Sequence, residues 1–143
     1  MTSISKITNR IFGLLDKELG TPGSFFIPLN PVPASRPRVG AYGTFYPKTY
    51  ATWKKAAEAL KVAIKKTSRP VLVVVESVVQ RPATTKRDFP KGDVDNYAKA
   101  PLDVMTKLGF WDDDDQVLGL FTAKRFTVGD EEPGTHVYYW SLE

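Results

Sequence analysis

Aspartates are concentrated between residues 93 and 115. Asp93 and Asp95 stand one residue apart, Lys99 follows, and Asp112–Asp115 form an unbroken acidic run. Carboxylates held close together repel one another and raise each other's pKa, so a site that gathers them commonly holds a cation. Hard divalent cations such as Mg²⁺ and Mn²⁺ prefer oxygen ligands. The pattern therefore predicts a carboxylate site for Mg²⁺, with Mn²⁺ as a substitute.

Other acidic or histidine-based sites fit the sequence poorly. An EF-hand loop beginning at Asp93 would need glycine at its sixth position and an acid at its twelfth, where this chain has Ala98 and Val104. A phosphatase-type pair, whose first aspartate is the nucleophile, is expected directly after a buried strand, whereas KRDFPKG precedes Asp93. His136 is the only histidine, and we expect it to be structural or exposed. A carboxylate-only site remains, and it suits phosphodiester hydrolysis because the ion polarises the phosphoryl group.

Basic and acidic residues are segregated along the chain. The net charge is +4, from 20 Lys and Arg against 16 Asp and Glu. Residues 36–91 contain 13 basic and three acidic residues, whereas residues 93–115 contain seven aspartates and two lysines. A basic surface attracts a polyanion such as DNA, although a solvated lysine-rich face has the same composition. Together with the acidic site, this pattern favours metal-assisted cleavage of a phosphate backbone.

The composition excludes several classes of protein. The chain has 143 residues, of which 42% are hydrophobic, so we expect one domain with its own core. It has no cysteine, which excludes disulfides, thiolate zinc sites and thiol nucleophiles. No apolar run is long enough for a transmembrane helix, and the N-terminus lacks the pattern of a signal peptide. We therefore expect a cytoplasmic protein without membrane contact.

Helices and strands are predicted in mixed order, which indicates an α+β domain with a mixed sheet. Apolar residues at helical spacing predict an amphipathic helix over residues 4–19, so we divide the chain into an N-terminal extension, 1–23, and a domain, 24–143. The stripe Ile4, Ile7, Ile11, Leu14, Leu15 and Leu19 defines its apolar face. A second apolar stripe at helical spacing predicts a helix over residues 47–66.

The remaining segments are read as strands, loops and one more helix. VLVVVESVV is a nearly unbroken apolar run and predicts a central strand buried on both faces. SFFI, QVLGLFTAKRFTV and HVYYWSLE predict further strands, RPRVGAYGTFYP a loop or hairpin, and residues 80–92 a surface loop. A helix is expected over residues 96–108. Because Pro101 is unfavourable inside a helix, this one either starts later than Asn96 or is kinked.

These elements should bring distant acids together. Asp93 and Asp95 are predicted in an extended loop that faces one ion. A helix of three to four turns would then return the chain, so that Asp114 closes the site from the start of the next strand. At most two residues of the run Asp112–Asp115 are expected to bind metal, and the alternative is a solvated acidic turn.

Lys99 has two interpretations. It lies one helical turn beyond Asp95 and could neutralise charge that develops on the phosphate. Alternatively, it pairs with Asp103 at i,i+4, a surface interaction of roughly 0.3–0.5 kcal/mol. The two interpretations are compatible.

The segment DVDNYAKAPLDVMTKLGFWDDDDQV resembles the core motif of the RusA family of Holliday junction resolvases, the crossover junction endodeoxyribonucleases. That motif reads D-x-D-N, a lysine, L-D, a turn with tryptophan, and D-D-x-Q-V. PVPASRPRV and YPKTYATWK are similar to the family's upstream pattern, and the resemblance covers about residues 24–127. It implies a RusA-like fold with two main helices. It also implies a Mg²⁺-dependent homodimeric endonuclease that resolves four-way junctions by paired symmetric nicks in DNA recombination and repair.

The resemblance assigns roles to residues at matching positions. The implied catalytic residues are Asp93, Asp95, Lys99 and Asp114. The implied metal ligands are Asp93, Asp95, Asp114 and Asp113. Asn96, Asp103 and Gln116 are implied supporting residues. Asp112 and Asp115 stand where the family often has other residues, and this lengthens the acidic run.

A basic surface is expected to contact DNA phosphates and to recognise shape more than sequence. The predicted contacts are Arg36, Arg38, Lys48, Lys54, Lys55, Arg81, Lys86, Arg87 and Lys91. Tyr42, Phe45, Tyr46 and Trp111 either pack against unstacked bases or belong to the core or a dimer contact. The N-terminal helix either extends the dimer contact or packs on its own subunit.

Two alternative functions share these features. One is a non-catalytic dimer that binds branched DNA, with the aspartates serving solubility or a structural ion. The other is a nuclease that acts mainly on forks, flaps or other branched DNA. The family's frequent occurrence in bacteriophages suggests a phage origin, by resemblance only.

Overall fold

The computed structural model describes residues 2–35, 38–40, 43–45 and 48–142, without the side chains of residues 38–40, 43–45 and 48. The helices within these ranges are α1 (Ser3–Leu19), α2 (Lys48–Glu58) and α3 (Val94–Leu108). The strands are β1 (Gly23–Ile27), β2 (Arg38–Gly40), β3 (Gly43–Phe45), β4 (Val71–Val79), β5 (Val117–Phe126) and β6 (Gly134–Ser141).

A four-stranded mixed sheet with the order β1-β6-β4-β5 forms the centre of the domain. β4 and β5 are parallel, and the other two pairs are antiparallel. Two parallel neighbours need a crossover connection, which the loop 80–92 and α3 provide. β2 and β3 form a separate antiparallel hairpin, as predicted for that segment. The α+β fold with a mixed sheet is confirmed.

β4 is the central strand that its apolar run predicts. It lies between β5 and β6, and only Leu72 and Glu76 of its nine residues are not fully buried. The valine-rich run suits a strand that is covered on both faces. On one face Val73 and Val75 join the main core, to which Trp53 of α2 and Met105 of α3 also belong.

α1 covers the opposite face of the sheet. The Phe12 ring meets Tyr138 edge-on at a centroid distance of 4.8 Å and lies 5.7 Å from Trp140. The helix therefore packs on its own subunit. The predicted apolar stripe is partly wrong, because Ile7 and Leu14 are 49% and 59% exposed. Phe12 makes the contact instead, through the aromatic side chains that β6 directs toward this face.

α2 ends at Glu58, so the predicted helix over residues 47–66 is too long. The lysines of residues 60–66 would place like charges four residues apart on a helix, which is unfavourable. In the structure this segment is not helical and leads to Thr67, whose backbone N–H donates to the Phe110 carbonyl at 3.0 Å. Tertiary contacts with the turn after α3 therefore replace the last two predicted helical turns.

α3 begins at Val94, so of the two alternatives the start later than Asn96 is wrong, and the kink stays a prediction. Pro101 lies inside the helix and is buried. The helix ends at Gly109, which has a φ of +96° and donates its N–H to the Met105 carbonyl at 3.1 Å. This left-handed end suits glycine, which has no Cβ. Among the residues that the structure describes, no helix is long and apolar enough to cross a membrane.

Candidate active site

The first two motif aspartates lie at the start of α3. Asp93 immediately precedes the helix with extended backbone, and Asp95 belongs to its first turn. The expectation that both lie in an extended loop is therefore wrong for Asp95. Both side chains are exposed. Negative charge is favourable at this position because the helix dipole leaves partial positive charge at the N-terminus.

The loop before Asp93 is fixed by two side chains of the domain. The Lys124 ammonium on β5 donates to the Pro90 carbonyl at 2.7 Å and also to the Gly92 carbonyl. The Tyr97 hydroxyl donates to the Lys91 carbonyl at 2.8 Å. Sequence reasoning missed Lys124, because nothing in a strand sequence shows which carbonyls lie opposite.

Gly92 explains how the chain turns from this loop into α3. Its φ is +105°, a conformation that L side chains rarely adopt. A Cβ at Gly92 would also lie 3.1 Å from the Tyr97 ring and 3.2 Å from Pro33. The backbone carbonyl of Asn96, a predicted supporting residue, accepts from the Ala34 N–H at 2.8 Å. This hydrogen bond links the first turn of α3 to the segment that follows β1.

One face of α3 carries Asp95, Lys99 and Asp103 at four-residue spacing. The Lys99 ammonium lies 3.5 Å from Asp103 Oδ1, so the predicted i,i+4 pair is present. Lys99 is exposed, and the pair contributes about 0.3–0.5 kcal/mol at most. The catalytic role of Lys99 stays a prediction.

Asp103 and Asp114 are in direct contact. Burial raises the pKa of Asp103, and the hydrogen bond between its carboxyl group and that of Asp114 raises the pKa further, against the opposing effect of Lys99. The Tyr50 hydroxyl on α2 donates to Asp103 Oδ2 at 3.5 Å. Two carboxyl groups in contact favour a shared proton or a cation. Asp103 therefore lines the same cleft as Asp114, and its supporting role stays a prediction.

The acidic run presents its side chains in different directions. Asp112 forms an exposed ion pair with Lys66 at 2.5 Å, and Asp115 is exposed. For these two, a solvated acidic turn is the correct description. Asp113 caps a 3₁₀ turn, Asp114–Gln116, and accepts from the Asp114 N–H at 2.7 Å. Asp114 thus lies in this turn and not at the start of β5, which begins at Val117.

Gln116 organises the acidic turn through both ends of its amide. Its Oε1 accepts from the backbone N–H groups of Asp112 at 2.7 Å and Asp113 at 3.2 Å. Its Nε2 donates to the carbonyls of Thr67 and Arg69, each at 3.0 Å. The supporting role implied for Gln116 therefore has a physical basis, because one side chain joins the turn to the segment before β4.

A cleft of about 620 Å³ separates α2 from the acidic turn. Its lining includes Tyr50, Lys54, Lys55, Asp103, Thr106, Asp113 and Asp114. Lysines from α2 thus face carboxylates from α3 and the turn. The donors on the acidic side are oxygens, which suit Mg²⁺, an ion commonly held by one or two carboxylates with water and phosphate.

The structure does not bring all the predicted ligands together. Among the described residues, no group of three acidic or histidine side chains could hold one metal ion. Asp95 and Asp103 are eight residues apart, about 12 Å along a helix, and Asp114 lies beside Asp103. Within one chain, Asp93 and Asp95 therefore lie at the start of α3, whereas Asp103, Asp113 and Asp114 line the cleft at its other end.

The predicted DNA contacts are distributed over two regions. Lys54 and Lys55 line the cleft, and the loop 80–92 exposes Arg81, Lys86, Arg87 and Lys91. Arg36, Tyr42 and Tyr46, with the side chains of Arg38, Phe45 and Lys48, lie outside the described parts of the structure. Trp111 is 1% exposed, so the suggestion that it stacks on bases is wrong and its core position is confirmed. His136 lies half-buried on β6, 4.6 Å from the Phe26 ring.

Comparison with known proteins agrees with this site. The family model Endodeoxyribonuclease RusA matches residues 28–138, which include β4, β5, α3 and all the acids described above, but not β1 or the end of β6. No curated protein gives a significant match. The matched region is most of the chain, and it confirms the resemblance of the acidic motif. The chain belongs to the RusA family of endodeoxyribonucleases.

Proposed function

We propose that this endodeoxyribonuclease uses Mg²⁺ to cut four-way DNA junctions by paired symmetric nicks. The observation that supports this most directly is the contact between Asp103 and Asp114, in a cleft whose other wall bears Lys54 and Lys55. The acid pair favours a cation, and the facing lysines favour a phosphate. Membership of the RusA family supports the same class of substrate.

The proposed ligands of Mg²⁺ are Asp93 and Asp95 at the start of α3, and Asp113 and Asp114 in the acidic turn. When bound, the ion would polarise the phosphoryl group and favour formation of the attacking hydroxide. Lys99 projects from the α3 face between Asp95 and Asp103 and is proposed to neutralise charge on the phosphate oxygens. Lys54 and Lys55 would hold the DNA backbone from α2, and the basic residues of the loop 80–92 would extend this contact.

Direct metal binding distinguishes the two acidic groups. Mn²⁺ binding is measured on wild-type protein and on the variants Asp95→Asn and Asp114→Asn, each without DNA. Asp95 lies in the first turn of α3 and Asp114 in the turn that follows this helix, so we expect loss of Mn²⁺ affinity in both variants only if metal binds at both places. Unchanged Mn²⁺ affinity in both variants would contradict the assignment of Asp95 and Asp114 as metal ligands.

A homodimer is the proposed assembly. A four-way junction has two-fold symmetry, and a C₂ dimer with one site in each chain supplies two symmetric cuts. The edge strand β5 exposes Leu118 by 67% and Leu120 by 44%, directly after the acidic turn. Exposed apolar residues on an edge strand favour pairing with another chain. A contact here would bring the two sites close to the dimer axis.

The deciding assay uses synthetic DNA labelled on each strand. We expect paired nicks in a four-way junction with Mg²⁺ and none with EDTA. Equal cleavage of forks and flaps would favour the broader branched-DNA nuclease over a junction resolvase. A dimer that binds the junction without cutting it would contradict the proposal. The family assignment disfavours this non-catalytic alternative.

A further inference from the structure

The buried Trp111 is linked to Asp114 through the hydroxyl of Thr106. The Trp111 indole N–H donates to Thr106 Oγ1 at 2.8 Å, and Trp111 is 1% exposed. The Thr106 hydroxyl in turn contacts Asp114 Oδ1. Thr106 lies on α3, while Trp111 and Asp114 belong to the turn that follows. The three side chains therefore form a short chain of hydrogen bonds from the core to the cleft.

The direction of these hydrogen bonds follows from the chemistry of the groups. An indole nitrogen can only donate, so Thr106 Oγ1 must accept from Trp111. A threonine hydroxyl carries one hydrogen, and that hydrogen is then directed to Asp114. A helical threonine often donates to the carbonyl four residues earlier, but here the hydroxyl meets Asp114. Asp114 Oδ1 is therefore held by Thr106, and Oδ2 takes no part in this hydrogen bond.

We infer that Thr106 is a positioning residue for Asp114, an assignment that rests on the proposed function. The backbone of Asp114 is fixed separately, by Asp113 and by the four hydrogen bonds of Gln116. Thr106 adds control of the side-chain rotation. Partners that orient metal ligands commonly change metal affinity or activity 10–100-fold when they are removed.

The test compares three variants in the full-length protein. Thr106→Val keeps the side-chain shape and removes the hydroxyl, so we expect kcat for junction cleavage to fall about 10–100-fold. Junction affinity, measured in EDTA, should change less than about threefold. Mn²⁺ affinity without DNA should fall by a similar factor to kcat. Thr106→Ser retains the hydroxyl and should restore most of both quantities.

Trp111→Phe is the matched control for packing. It removes the same Trp111–Thr106 hydrogen bond but leaves the hydroxyl on Asp114, so its losses of kcat and Mn²⁺ affinity should be smaller than those of Thr106→Val. Equal losses in the two variants would overturn the assignment, as would wild-type values in Thr106→Val. If wild-type protein does not cut junctions, the proposed function fails, and the Mn²⁺ measurements still decide the role of Thr106.

Discussion

The ammonium group of Lys124 lies 2.7 Å from the carbonyl oxygen of Pro90, three residues before Asp93. A residue of the edge strand thus anchors the loop that delivers the first acidic group. Lys124 Nζ also lies 5.9 Å from the Tyr97 ring centroid, and the Tyr97 hydroxyl holds the same loop. Sheet, loop and helix are therefore joined where α3 begins.

Removal of this anchor should loosen the loop without unfolding the domain. In Lys124→Met the carbonyls of Pro90 and Gly92 lose a charged donor, and we expect junction cleavage to fall about tenfold. Amide hydrogen exchange should quicken in residues 90–95 but not in β4. Lys124→Arg keeps a donor and is the control. Slow exchange in that loop in the Met variant would contradict the anchoring role.

Neighbouring residues of the acidic run should respond differently to the same substitution. Asp114→Asn removes charge from the cleft, and we expect cleavage to fall at least about 100-fold, with junction binding intact or tighter. Asp112→Asn affects an exposed pair with Lys66 and a hydrogen bond with Ser68. Both cleavage and stability should therefore stay near wild type, with a stability change within about 0.5 kcal/mol. Gel-based cleavage and urea unfolding measure the two effects. Equal losses of cleavage in both variants would contradict the assignment of Asp114, and not Asp112, to the active site.

Gln116→Ala should destabilise the domain and impair the site. The substitution leaves two backbone N–H groups and two carbonyls without their partner, at a net cost of about 1 kcal/mol for each buried hydrogen bond. Some of these groups can reach water, so we expect the free energy of unfolding, measured with urea, to fall by about 2 kcal/mol. Gln116→Glu keeps the acceptor for the N–H groups and loses the donor to Thr67 and Arg69. Because its carboxylate oxygen would face two carbonyl acceptors beside the acidic run, it should be destabilised at least as much as the alanine variant.

The stability of the domain should decline as the pH falls below 6.5. Burial lowers the pKa of His136 from its ordinary value of 6.5, against the opposing effects of Glu76 and Glu131. The unfolded chain therefore binds a proton at a pH where the folded chain does not, so stability is full above 6.5 and is lost as the pH drops toward the folded pKa. Urea unfolding of wild type and His136→Phe between pH 7.5 and 5 should show a smaller decline in the variant. The pKa of Glu131 is lowered by its hydrogen bond with Arg125, and its contribution is lost only below about 4.5, outside this range.

A charge on the edge strand should disrupt the proposed dimer. Leu118→Lys places an ammonium at the most exposed apolar position of β5, so we expect a monomer by light scattering and the loss of coordinated paired nicks. Leu14→Lys, on the exposed side of α1, is the control and should leave the mass unchanged. A dimeric Leu118→Lys protein would place the contact elsewhere.

Local patterns were sufficient for the sheet but not for the helices. The run Val71–Val79 predicts a central strand because continuous apolar character requires cover on both faces, and the structure has that strand. The predicted helix over residues 47–66 ends at Glu58 in the structure, because contacts with the turn after α3 determine the conformation of the following segment. α1 forms as predicted, yet Phe12 meets the sheet, because the aromatic residues of β6 select the buried face.

The candidate site was only partly predictable for a similar reason. The acidic motif identifies the family, but sequence spacing cannot show which oxygens meet across a turn. Asp103 contacts Asp114 because Gly109 reverses the chain after α3 and Gln116 holds the returning segment. Thr106 and Lys124 carry no motif signal, because their roles depend on partners that only the folded chain brings near.

The length of α3 has a consequence for variation in this protein. Each residue of an α-helix adds about 1.5 Å and about 100° of rotation. One residue inserted after Lys99 would turn Asp103 away from the Asp95 side and shift the acidic turn relative to the start of α3. Insertions and deletions should therefore be tolerated in the loop before the anchored Pro90 and be rejected between Asp95 and Asp103, even where the inserted residues themselves are neutral.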